Sequence, residues 1–284
     1  MRSTPRSAEP ILAAPPRRWA GELAAAASSA RIGFAGAFAA WPVLAGRTAF
    51  YALIMVVLSA LWDKVAAERL PGTLAHTLPA GGLALYVGVT EAIVFSVAFV
   101  HLKLEDDIRS GRLEPQLLRP KAYLARTIAE ALGASCARFL AMAGAGLALL
   151  VVSGRAGPPL AALPGVLALG VLGAAVGVLL LTIVGLCAFW VRRVLPAYLV
   201  VQKLIFLLGG LFAPITLYPP WLRAIGEASP FGAHLFYAGE AAIHPSTDII
   251  LSGLAAQAAW LALLTLLALA MWRAGLARVL REGV

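Results

Sequence analysis

The chain has 284 residues, of which 61% are hydrophobic and 13% charged, with a formal charge of +9 at neutral pH. A soluble domain carries roughly 25% charged residues, so a mean hydropathy of +0.86 excludes one large soluble core and places the chain in a bilayer. The basic excess belongs beside the bilayer rather than on nucleic acid, because no basic groove with interleaved aromatic residues accompanies it.

Residues 1–17 scatter Arg2, Arg6 and Arg17 among Pro5, Pro10, Pro15 and Pro16. The apolar piece "ILAA" between them is too short for a signal-peptide core. This segment reads as a disordered cytoplasmic tail, and residues 18–284 as one transmembrane domain. Over 19–41, Trp19, Leu23, Ala27, Ala30, Phe34, Phe38 and Trp41 recur at spacings of three and four. Glu22, Ser29 and Arg31 lie off that stripe. The pattern predicts a weakly amphipathic helix in the headgroup plane, broken at Trp41-Pro42.

Six apolar stretches are long enough to cross a bilayer. They cover about 43–62, 82–102, 132–152, 164–190, 195–213 and 249–272. With both termini inside, the inner segments hold sixteen Lys and Arg and the outer ones four. That asymmetry predicts cytoplasmic termini. Arg47 and Arg138 fall within spans and are expected to snorkel to the inner headgroups, Arg138 with the alternative of touching residues 106–120.

Three features stand apart from the spans. The first is "DDIRSGRLEPQLLRP", residues 106–120, on the predicted cytoplasmic side. Gly111 allows a turn, Pro115 suits a helix start, and Pro120 disfavours helix before it. A helix of one to two turns is expected, with Leu113, Leu117 and Leu118 on one side. Asp106, Asp107, Arg109, Arg112 and Glu114 surround it with both signs. Such a knob fits a groove on a partner protein. The second feature is Glu91, midway along the second span, where a lone carboxylate costs about 2.5–3.5 kcal/mol to insert. It either contacts a substrate or makes an interhelical bond, and Lys203 in the fifth span is its candidate partner. Glu91→Gln separates the two readings, since it keeps a structural bond but weakens recognition of a cation. The third is 214–248, too apolar for a solvated loop and too rich in proline for a span. Short re-entrant or interfacial helices on the outer side are expected there.

The remaining polar residues point to no chemistry. Cys136 and Cys187 read as small buried hydrophobes. His101 reads as an interfacial anchor. His76, His234 and His244 lack metal-ligand spacing, so no metal is expected. Gly173 and Gly177 permit a close helix contact. Tyr218 and Trp221 read as outer-interface aromatics, with Trp190 and Trp272 at the inner face.

Two of these stretches carry a resemblance. "DDIRSGRLEPQLLRPKAYL" at 106–124 is similar to an acidic-Ile-Arg-x-Gly-x-Leu-x-x-x-Leu-Leu-x-Pro segment that follows the second span of ABC-2 type ABC transporter permeases. The likeness is closest to a six-span bacterial subfamily found beside drug-resistance ATPases. "LLGGLFAPITLYPPWLRAIGEASPF" at 207–231 resembles that family's Gly-x-x-x-Pro…Pro-x-Trp-Leu…Pro-Phe stretch. "FYAGEAAI" departs from it by lacking a proline after the aromatic.

The resemblance implies an all-α membrane fold of six spans. It adds an N-terminal amphipathic helix, a cytoplasmic coupling helix and a re-entrant segment before the last span. It also implies a bacterial inner-membrane exporter of a hydrophobic or amphipathic solute of the drug, toxin or antibiotic class. The permeases would pair, with the same chain or a paralogue, on a dimer of separate ABC ATPases. ATP and Mg would then sit on that partner and no cofactor on this chain, which has no G-x-x-x-x-G-K-[ST] loop. Coupling to the ATPase would fall to Asp106, Asp107, Arg109, Gly111, Arg112, Leu113, Glu114, Leu117, Leu118 and Pro120. Glu91, Lys203, Gly209 and Gly210 would lie on the substrate path. Pro214, Pro219, Pro220, Trp221, Pro230 and Phe231 would build the re-entrant segment. The rival classes are an ATP-independent carrier using Glu91 as a proton site, a membrane scaffold, or an inactive half beside an active paralogue.

Overall fold

A computed structural model describes residues 18–67, 81–113, 120–155, 157–211 and 213–282. The predicted tail 1–17 lies outside them, as do His76 and residues 114–119, with Glu114, Pro115, Leu117 and Leu118. The described residues form α-helices joined by short turns, with no strand among them.

Helix α1 runs Arg18–Ala39 and α2 Trp41–Ala67, separated at Ala40, one residue before the predicted break. Helix α3 covers Gly82–Ser96 and α4 Val100–Arg109. Helix α5 is Pro120–Val152 and α6 Leu163–Leu186. Helix α7 is Leu195–Leu208, α8 Pro220–Ala228, α9 Pro230–Ile243 and α10 Thr247–Glu282. Below, the end of the bundle that carries residues 106–113 is the lower end.

Among the described residues five stretches are long and apolar enough to cross a membrane: Trp41–Lys64, Gly82–Arg109, Tyr123–Val152, Leu163–Phe189 and Thr247–Arg281. The predicted sixth, 195–213, yields only the 14-residue α7. At 1.5 Å per residue α7 is about 21 Å long, short of a bilayer core of about 30 Å. It stops at Gly209, and Gly210 then turns the chain with φ +70°. A hydropathy window counts the apolar residues past that turn as more helix.

Several prolines open helices. Pro164, Pro196, Pro220 and Pro230 occupy the first turns of α6, α7, α8 and α9. There the missing N–H has no intrahelical acceptor to lose. Ser229 completes the start of α9, its Oγ accepting from the Gly232 N–H at 3.1 Å. Residues 214–248 hold the short helices α8 and α9, as the sequence predicts. Helix α9 is deeply buried, packed against α3, α6 and α10.

Helix α6 is the axis of the bundle, touching α3, α4, α5, α7, α9 and α10. Gly173 and Gly177 give it a surface too close to α9 for any Cβ, because His234 fills that space. Helices α2 and α10 are peripheral and keep most of their apolar surface exposed.

Helix α1 departs from the expected picture. It runs antiparallel along α5, with Gly33 against the Glu130 carbonyl and Gly133 against that of Ala30. Small residues make the contact, since only they let two helix backbones approach so closely. The large members of the sequence stripe, Leu23, Phe34, Phe38 and Trp41, face outward instead.

Candidate functional site

Four clusters of polar side chains occupy this apolar bundle. The lowest is built from the end of α4. Gly111 adopts φ +71°, so the chain turns back, and the Ser110 and Leu113 N–H groups bond the Asp106 and Asp107 carbonyls at 2.9 and 3.2 Å. That is the left-handed cap a glycine permits. Arg112 pairs with Asp106, and its Nε donates to Asp107 at 3.2 Å. These bonds, the one to Asp107 first, hold the exposed guanidinium's pKa above its usual range. Asp107 also accepts from the Tyr123 hydroxyl at 2.6 Å, which fastens the turn to α5. Glu105 accepts from the Val194 N–H at 3.3 Å, fastening it to the start of α7. Leu113 is buried in the lower core. Among the described residues Arg109 has only a loose 3.9 Å approach to Glu105. Pro120 opens α5.

Next is a gap in the second crossing. Residues 97–99 are not helical, although no Gly or Pro marks them. The backbone groups they free are bonded by side chains from other helices. Arg47 donates to the Phe95 carbonyl at 3.1 Å and lies 4.9 Å from the centre of the Phe99 ring. The Ala98 N–H donates to Ser135 Oγ at 3.0 Å. Arg47 thus serves the break rather than reaching for headgroups. His101, just past the gap, is buried and stacks on Tyr198 at 4.5 Å.

Above the gap lies a cavity of about 290 Å³ between α2, α3, α6, α7 and α9. Glu91 lines it and is 5% exposed. The carboxylate has no hydrogen-bond or ion-pair partner among the described residues. Phe95, Phe99 and Phe206 give the cavity aromatic walls, and Tyr198, Gln202 and His234 give it polar ones. Lys203 is not in it: its ammonium is exposed and lies 5.4 Å from the centre of the Phe206 ring. Gly209 and Gly210 form the turn above, close to Ile215 and Phe231. Thr90 bonds that turn to α3 through the Leu211 carbonyl at 3.2 Å.

The fourth cluster is in and around α9. His234 is fully buried, its Nδ1 2.7 Å from the Gly173 carbonyl oxygen. The Gln257 amide donates to the Leu169 and Ala233 carbonyls at 2.9 and 3.0 Å. Glu240 is buried, with His244 at 2.9 Å. The Tyr86 hydroxyl is buried with no partner among the described residues. Pro214 is buried beneath this end, Pro230 and Phe231 are half-buried, and Pro219, Pro220 and Trp221 are exposed.

The structure therefore gathers Asp106, Asp107, Arg109, Gly111, Arg112 and Leu113 into one knot, and places Glu91 alone in a cavity. Sequence reasoning missed the gap at 97–99, Glu240 and Gln257. Only Glu240 had a visible signal, an acid inside the apolar "FYAGEAAI". Cys136 and Cys187 are free and half-buried, and no group of three metal-ligating side chains exists among the described residues.

No curated protein is similar enough to serve as a named relative. The family model described as "ABC-2 family transporter protein" matches residues 82–283, from α3 through α10. With its membrane-crossing helices and this match, the chain belongs to the ABC-2 family of transporter proteins and is a multi-pass membrane protein.

Proposed function

We propose that this chain is the permease subunit of an ABC exporter in a bacterial inner membrane. It moves a hydrophobic or amphipathic solute of the drug, toxin or antibiotic class out of the cytoplasm, using ATP and Mg bound by a separate ATPase dimer. The observation that carries the reading is the continuity of the second crossing. One polypeptide leads from the lower knot through α4 and the gap at 97–99 to Glu91 in its cavity. A push on the knot would tilt α4 against α3 and change the cavity walls, since hinges are a few residues between rigid elements. In this reading residues 106–120 are the coupling segment, α8 and α9 the re-entrant pair, and α7 the inner part of a sixth span. The exposed faces of α2 and α7 flank the cavity, where a second permease, this chain or a paralogue, would enclose it.

Charge reversal at Arg109 is the cleaner test, because Arg112 is tied to Asp106 and Asp107 and its loss would loosen the knot itself. In vesicles with the co-expressed ATPase, Arg109→Glu should retain membrane insertion and basal ATP hydrolysis yet lose most transport. Wild-type transport by that variant would refute coupling through this segment.

The lone carboxylate favours a second reading, a carrier driven by a proton gradient at Glu91. A protonophore that abolishes transport at undiminished ATP would establish it over the first. Recovery of a stable ATPase subunit with the purified chain would remove it.

A further inference from the structure

We propose a lipid site separate from the Glu91 cavity: the groove between α1, α2, α4 and α5 holds one anionic phospholipid, its phosphate on Arg138 and within the field of Arg47. The groove encloses about 390 Å³. Ile32 and Ala37 of α1, Val43 and Leu44 of α2, and Phe99 line it with apolar surface, and Arg138 faces into it from α5.

The charges demand an anion. Arg138 is half-buried and has no hydrogen bond or ion pair among the described residues. Arg47 is not in the lining, but its positive charge on α2 adds to that of Arg138. It spends one N–H on the Phe95 carbonyl and has no carboxylate beside it. The acid that lines the groove, Glu130, is already paired with Lys103 at 2.9 Å. It is also about 12 Å down the helix from Arg138, eight residues at 1.5 Å each. Two like charges beside an apolar groove are costly unless an opposite charge meets them.

The shape selects the source of that anion. A soluble phosphate ester would satisfy the arginines but leave the apolar walls wet. A phospholipid meets both requirements, phosphate on Arg138 and an acyl chain along the groove. There is room for the chain, since no atom lies within 4 Å of where a side chain at Gly36 would start, and Gly36 lines the groove.

The test uses the full chain purified in detergent, with phosphatidylglycerol and phosphatidylcholine supplied equally and bound lipid counted by native mass spectrometry. One phosphatidylglycerol per chain should be retained in preference to phosphatidylcholine. Arg138→Gln should lower its retention about tenfold, the loss of one charged contact. Gly36→Leu should do the same by filling the groove, and Arg31→Gln, on α1 but outside it, should not. Should Arg138→Gln not fold, Gly36→Leu decides alone, since it adds bulk only to open space. Equal retention of the two lipids, or wild-type retention by Gly36→Leu, overturns the proposal. So does displacement of the lipid by millimolar glycerol 3-phosphate, which would make this a site for soluble phosphates.

Discussion

Glu91 is the residue whose environment is least explained by stability. It is buried in a cavity that offers it no partner among the described residues, so it costs folding energy where it stands. The two sequence readings now predict opposite signs. A structural bond would make Glu91→Leu destabilising. A substrate contact makes Glu91→Leu stabilising, by about 1 kcal/mol or more, while transport of an organic cation falls. Thermal unfolding in detergent and uptake into vesicles measure the two effects separately. Tyr123 is the reverse case, a residue whose bond holds structure. Tyr123→Phe removes the 2.6 Å bond to Asp107 and should cost about 1–2 kcal/mol. Faster proteolysis near residues 110–113 would report that loss. Glu91 was legible in the sequence because a carboxylate amid apolar residues has few reasons to be there. That Lys203 does not meet Glu91 was not legible, because helix rotation decides which way a lysine points and hydropathy does not encode rotation.

At the scale of elements, hydropathy and periodicity located the helices well and their interruptions poorly. The apolar runs that read as spans one, three, four and six are helices, and those of one, three and six run past their apolar stretch. Composition finds the part that lipid or core must touch, while the helix continues for as long as its backbone bonds are made. The gap at 97–99 had no local mark. What holds it open is Arg47 and Ser135, which are distant in sequence. Ser135→Ala should therefore leave the Ala98 N–H without its acceptor, costing about 1 kcal/mol. Hydrogen exchange at residues 97–99 should quicken while α3 stays protected. The short helices expected in 214–248 are there, and the prolines that break this stretch also start them, Pro220 in α8 and Pro230 in α9. A proline forbids helix before it but favours helix after it, and only the next few residues decide which matters. The turn at Gly210 belongs to the same scale: at φ +70° it tolerates no side chain without strain. Gly210→Ala should destabilise by about 1–2 kcal/mol.

The whole molecule has an inside and two unequal outsides. Helix α6 is enclosed, while α2 and α10 present rows of apolar side chains outward. Lipid satisfies such rows as well as protein does, so exposure alone does not choose between them. A second permease that enclosed the cavity would meet α2 and α7, which line it, and not α10, which does not. With Cys136 and Cys187 replaced by Ala, a single cysteine at Val200 of α7 should cross-link two copies in the membrane if the chain pairs with itself. One at Leu266 of α10, equally exposed, should not. Equal cross-linking at both positions would place no seam at α7.

The seating of α9 also constrains how the protein is made. This helix is 14 residues long and buried against α3, α6 and α10. At about 21 Å it is too short to be handed to the membrane as a span of its own. Two of its walls leave the ribosome before it, and α10 leaves after it. The slot beside Gly173 and Gly177 therefore lacks its α10 wall until the last helix arrives. A chain stopped before Thr247 should present the α9 segment to added protease, whereas the full chain should shield it.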